Sequence, residues 1–569
     1  MSNPKSLMAA LLTVLAACDG GGGSTSNGSS SSSGTSGSGT SGGISAVMSP
    51  TDAARLLEQA TFGPTPSEVT RIAALGFNGY IQQQIATAAT GYPGFTYVPH
   101  TAPPTCQYDA TAPTAPASIC ARDNYSLFQV QRKFFENTLT GPDQLRQRVA
   151  FALSQIFVVS GTEIYEAYGM AAYQNMLLND AFGNFRQLLQ DVTLSPVMGH
   201  YLNVAQNAKA NPALGTSPNE NYAREVLQLF SIGVYLLNAD GSLMLDANGQ
   251  PQPTYDQNVI EGFSSIFTGW TYAPLPGSAA AWSDPINYQG TMAPFPNYHD
   301  TGSKLLLNGV NVAAGGTPET DLAVGLDTIF NHPNVGPFIS KQLIQHLVTS
   351  NPSPSYVARI SAVFADNGQG VRGDLAAVVK AILGDVEARG DAPSDPNAGH
   401  LREPALYIAT LLRALGGQSD GVFPRNQISG MGQPLFTPPT VFNFYPPGYQ
   451  LPASTTFAPE FFIQDAATAL ARANFANQLI FNGGATPDPT VTASTGTTIA
   501  LIPLLGTPPL SPDGLVNELN TLLMHGSLSS TAHGAIATAV NAAPITDPLG
   551  QVKAAAYLIG TSAQFQVEH

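Results

Sequence analysis

Apolar positions recur every three or four residues along most of this chain, and that period predicts helices. Ser49-Pro50-Thr51-Asp52 is a start signal, followed by Ala53, Leu56, Leu57 and Ala60 at helical spacing. Thr65-Pro66-Ser67-Glu68 opens a second helix: Thr65 can cap, Pro66 suits the first helical position and Glu68 completes a capping box. Gly76 closes it, and residues 78–85 form a third. Helices are expected next at 125–138 and from Gly141-Pro142-Asp143, where Leu145, Val149, Leu153 and Ile156 share a stripe. Further helices fall at 171–191, 218–231, 256–267, 320–332, 335–348, 354–366, 373–385, 402–415, 459–480, 513–524, 530–541 and 549–559. Strand signals are few. Residues 234–254, with the turn dipeptides Asp240-Gly241 and Asn248-Gly249, predict one or two β-hairpins. The expected fold is mainly α, with Pro-rich ordered loops at 274–298 and 434–453. Loops of that length often carry function.

The first residues break the pattern. One Lys precedes a short apolar run that ends Leu15-Ala16-Ala17-Cys18. A membrane-spanning helix needs roughly 20 apolar residues, so a cleaved signal is the better reading. The run resembles a bacterial lipobox, which makes residues 1–17 a lipoprotein signal peptide and Cys18 the lipidated residue. Residues 18–44 are nearly all Gly, Ser and Thr, a flexible tether of about 26 residues with a reach of roughly 25–30 Å. Residues 45–569 form the folded body. The expected location is the cell envelope, lipid-anchored and facing outside the cytoplasm.

Composition narrows the partners. Only 11% of residues are charged and the net charge is −16. Such a chain lacks the basic footprint that nucleic acid or anionic lipid requires, so the membrane is reached through the lipid anchor alone. Besides Cys18 there are two cysteines, Cys106 and Cys120. In an oxidising compartment they form a disulfide, which can stabilise by roughly 3 kcal/mol for a loop of about 15 residues.

Several segments together resemble the bacterial domain of unknown function (DUF) 1800 family. They are Ala53–Thr65, then Pro218-Asn219-Glu220-Asn221-Tyr222-Ala223-Arg224-Glu225 with Leu229–Gly233, then Phe267-Thr268-Gly269-Trp270. His299-Asp300 with Lys304, His332-Pro333, Phe338–Lys341, Gly432-Gln433-Pro434 with Pro438-Pro439, and Thr561–Gln566 follow in order. The chain departs from the family pattern at Asn443-Phe444-Tyr445 and at Gln564. The resemblance implies a secreted bacterial protein with an α-helical body and a sulfatase-like secreted partner.

Chemistry is sparse. There is no GxSxG elbow, no P-loop, no GxGxxG after a strand, no HExxH and no CxxCH. Ser217 can cap the helix that carries Glu220, and Glu220 and Arg224 can pair one turn apart. The functional reading of the same motif makes Glu220 or Glu225 a general base or metal ligand, with Arg224 contacting substrate. His299 and Asp300 sit in a Pro-rich loop. With Glu225 they would make a divalent-metal set of imidazole and carboxylate; otherwise His299 is a loop histidine bonded to backbone. Lys304 reads as solvated, and His200 as a helix-end core residue. Arg146 and Arg148 are expected to bridge to Glu220 or Glu225. Aromatic residues on the long loops either stack on sugar rings or pack inward.

Two functions from different classes follow. One is an envelope protein that binds or handles an extracellular polymer or surface component. The other is a metal-assisted hydrolase using Glu220, Glu225, His299 and Asp300. The hydrolase needs Glu225 and His299 to converge at an open cleft; the binding protein needs those groups sealed and paired.

Overall fold

Ser49 and Thr65 act as the sequence predicts: each side chain accepts a backbone N–H of its helix's first turn, from Asp52 and Glu68. The computed structural model describes residues 47–389, 398–507, 509–544 and 546–568. The expected signal peptide, Cys18 and the expected tether lie outside the described residues. The described residues contain 22 α-helices and four antiparallel pairs of two-residue strands, so the fold is mainly α. No helix among them is long and apolar enough to cross a membrane.

Gly76 breaks the helix as expected: its φ of 75° is non-helical and separates the two helical segments of Pro66–Ala86. Differences from the expected elements have local causes. The stretch expected as one helix at 171–191 is two, Ala167–Asp180 and Phe185–Leu194, because the Asn184 side chain accepts the Arg186 N–H and starts the second afresh. Residues 459–480 likewise divide into a 3₁₀ turn, Pro459–Ile463, and a helix, Ala466–Phe481, whose N-cap is Asp465. Five short helices escaped the periodicity: Pro116–Asn124, Pro196–Tyr201, Val386–Arg389, Val422–Ile428 and Ala563–Gln566. Each is under three turns, too short for a repeating stripe. Residues 234–254 pair as expected, through Tyr235 with Pro253, Leu237 with Leu243, and Leu245 with Pro251.

One hydrophobic core runs through the helices, from Leu56 and Phe62 near the start to Ile559 and Phe565 near the end. Ion pairs tie these ends together inside it: Glu58 binds Arg402 at 2.9 Å and His525 at 2.7 Å. Arg148 is fully buried and donates to the His346 carbonyl, while Arg146 donates to Leu178 O at 3.0 Å. Neither reaches Glu220 or Glu225 as expected. Cys106 and Cys120 form the expected disulfide.

The substituted positions carry contacts of their own. Asn443 donates to Gln155 Oε1 (2.9 Å), and the Tyr445 hydroxyl lies 2.8 Å from both Gln155 Oε1 and Glu403 Oε2. Gln564 accepts the Ser529 N–H at 3.1 Å.

Two close approaches shape the region that matters next. Gly269 has φ 82°, and a Cβ there would lie 2.8 Å from Cβ of His299, so only glycine lets the chain pass. A Cβ on Gly199 would clash with Sδ of Met292, so the Met292 side chain lies directly against the backbone of the helix Pro196–Tyr201.

Candidate functional site

The residues singled out in the sequence divide between two places. His299 is fully buried. Its Nδ1 bonds Thr268 O at 2.9 Å, and its Nε2 lies 3.1 Å from Asp321 Oδ2. Lys304, also buried, donates to the same Asp321 oxygen (2.7 Å) and to the carbonyls of Asp300 (2.6 Å) and Gly302 (2.9 Å). Lys304 is therefore not a solvated residue but the cation of a sealed network. The Asp300 carboxylate accepts from Gly302 N (2.7 Å) and Ser265 Oγ (3.3 Å), which closes its own loop.

The other motif lies at the surface. Its helix spans Asn221–Gln228 with Glu220, not Ser217, at the N-cap. The expected ion pair forms: Arg224 Nη2 lies 2.6 Å from Glu220 Oε2, and Gln257 bonds both. Glu225 is half-buried, with Oε2 unpartnered among the described residues. Burial raises its pKa, against the lowering charge of Arg224. Glu225, His299 and Asp300 do not assemble as metal ligands. Among the described residues, no group of three or more His, Cys, Asp or Glu is placed to hold a metal ion. His299 Nε2 faces the buried Asp321 instead.

The principal open cleft lies elsewhere. It has a volume of about 860 Å³ and is walled by the turn around His200–Gln206, by Glu163, by Tyr272 and by both Pro-rich loops, at Ser283–Ile286 and Thr440–Val441. Pro196 and the Ser195 carbonyl start the short helix that brings His200 to this wall. His200 Nδ1 lies 3.0 Å from the Tyr272 hydroxyl. Burial, and then the neighbouring His100, lower the His200 pKa, so the ring is neutral near pH 7. The rings of His100 and His200 are 5.5 Å apart, and His100 Nδ1 is held 2.6 Å from the buried Glu166. Burial raises the Glu166 pKa. Tyr201 is pushed up to about 12 by burial and by the charges of Glu163 and Glu225.

The helix Asn221–Gln228 also touches this wall. Asn221 Nδ2 donates to Asn203 Oδ1 (2.7 Å), and the Asn219 N–H donates to Asn207 Oδ1 (2.8 Å). Asn203 and Gln206 both hold left-handed backbone, φ 63° and 62°. Such residues concentrate where structure is held for function. Sequence reasoning placed His200 in the core and passed over Glu163, Tyr201, Asn203 and Tyr272. The two long Pro-rich loops were the available signal, since both line the cleft. Of the loop aromatics, Trp270, Phe436, Phe444 and Tyr445 pack inward, whereas Phe442 and Tyr298 are exposed, Tyr298 stacked on Trp282 at 3.9 Å.

A family model described as a protein of unknown function, DUF1800, matches residues 55–567. No curated protein and no solved structure matches the chain.

Proposed function

From the premise that the chain belongs to the DUF1800 family, we propose that it is an envelope-tethered protein whose cleft binds a neutral, hydroxyl-rich segment of an extracellular polymer. The charge of the cleft carries this reading. Its lining includes Glu163 and Asp284 but no Lys or Arg, so sulfated, phosphorylated or uronate chains meet repulsion. Tyr201 supplies an aromatic face, and Gln206 an amide oxygen, that suit sugar hydroxyls.

The disulfide supports an oxidising compartment. Cys18 and the Gly/Ser-rich tether supply the anchor in this proposal, and a sulfatase-like partner would act beside it. No divalent metal enters the reading, since among the described residues no group of three or more His, Cys, Asp or Glu is placed to hold one.

Calorimetric titration of the full chain with neutral and with sulfated oligosaccharides tests it. Neutral chains should bind, with at least tenfold weaker affinity after Tyr201→Ala. Tighter binding of the sulfated series would refute the proposal.

A further inference from the structure

The turn from His200 to Asn203 holds hydrogen-bonding capacity that the protein leaves unused. Tyr272 occupies Nδ1 of His200, and Nε2 has no partner among the described residues. In the tautomer whose Nδ1–H donates to the Tyr272 hydroxyl oxygen, the neutral imidazole is a base at Nε2. Asn203 lies three residues on. Its Oδ1 is taken by Asn221, which leaves both amide hydrogens uncommitted. Gln206 differs: its amide nitrogen is spent on the carbonyls of Trp282 (3.2 Å) and Asp284 (3.0 Å). The wall therefore offers an imidazole base and an uncommitted amide donor at an open cleft.

We propose that this wall hydrolyses esters carried by the neutral, hydroxyl-rich ligand, with His200 as general base and Asn203 as donor to the oxyanion. The substrate class rests on the binding reading above. His200 Nε2 takes a proton from water as the water oxygen bonds to the acyl carbon. The carbonyl electron pair moves onto oxygen, where the Asn203 amide donates. On collapse the bond between the acyl carbon and the sugar oxygen breaks. The proton on Nε2 passes to that oxygen, giving a free hydroxyl and a carboxylic acid. The acid ionises beside Glu163 and Asp284, whose charge favours its departure. Tyr272 and Asn221 are positioning residues: one orients the imidazole and the other the amide. This gives the Asn219–Asn221 part of the family motif a task at the cleft without any contact to substrate.

The test follows acetate release from acetylated xylo-oligosaccharides by the full chain, with the deacetylated oligosaccharides as binding control. The rate should rise with pH through a midpoint below the ordinary histidine value of about 6.5. His200→Gln should cut kcat about 100-fold or more, and Asn203→Ala by a similar factor, while affinity for the deacetylated chain is kept. Tyr272→Phe should lower kcat and displace the pH midpoint, which a purely structural role would not do. Asn203 is exposed, so its variant carries the comparison if His200→Gln does not fold. Native chain that binds the deacetylated oligosaccharide but releases acetate no faster than buffer overturns the esterase proposal and leaves the binding reading standing. Equal rates in the native chain and both variants also overturn it. Loss of binding and release together removes both readings.

Discussion

The network at His299 and the wall at His200 are built from similar parts, yet they end in opposite states. Each has an imidazole, a nearby carboxylate and a left-handed turn. At His299 both ring nitrogens and the ammonium of Lys304 have partners. The imidazole is flanked by Thr268 and Asp321, and Asp321 is shared with a buried lysine. At His200 one ring nitrogen and one amide are left over, and the cleft is open to solvent. Residue type does not separate the two histidines. Unspent hydrogen-bonding capacity beside solvent does.

The comparison breaks first at Asp321. Asp321→Ala strands Lys304 and His299 in a water-free interior, and removing one partner of a buried pair costs about 3–5 kcal/mol. Chemical denaturation should show that loss. A change within about 0.5 kcal/mol would mean that the network is not sealed. Tyr272→Phe in the cleft should cost much less, about 1 kcal/mol for one neutral hydrogen bond. An equal loss at both sites would erase the distinction between them.

The smallest effect is a titration. Burial and the neighbouring His100 depress the folded-state pKa of His200 below its unfolded value. The neutral ring then contributes stability that is fully present above about pH 6.5 and declines as pH falls through the window beneath it. Imidazole NMR resonances of native and His200→Gln chains, recorded from pH 8 to pH 4, should assign a midpoint below 6.5 to His200. A midpoint above 6.5 would mean that the ring is held charged, and the contrast with the ion-paired region would fail.

Much of the helical frame was legible because its signals are local. Ser49, Thr65 and Asp256 cap helices by bonding a backbone N–H two or three residues on, and apolar stripes repeat within one element. The Glu220–Arg224 pair is one turn apart and formed as expected. The cleft was not legible in this way. His200 lies on a helix of six residues, and its partners come from 72 positions away at Tyr272 and from the loops at 283–286 and 440–441. Nothing near position 299 announces Asp321, which sits one turn into the helix Pro318–Phe330.

By itself, then, the sequence determined the mainly α class, the family, the disulfide pair and the acidic sign of the surface. Each depends on composition or on spacing within a few residues, or on a set of motifs in fixed order. Tertiary structure alone decided which histidine is sealed and which is open. That choice turns on which distant carboxylate or hydroxyl folds against the ring, and on whether water can still reach the other side.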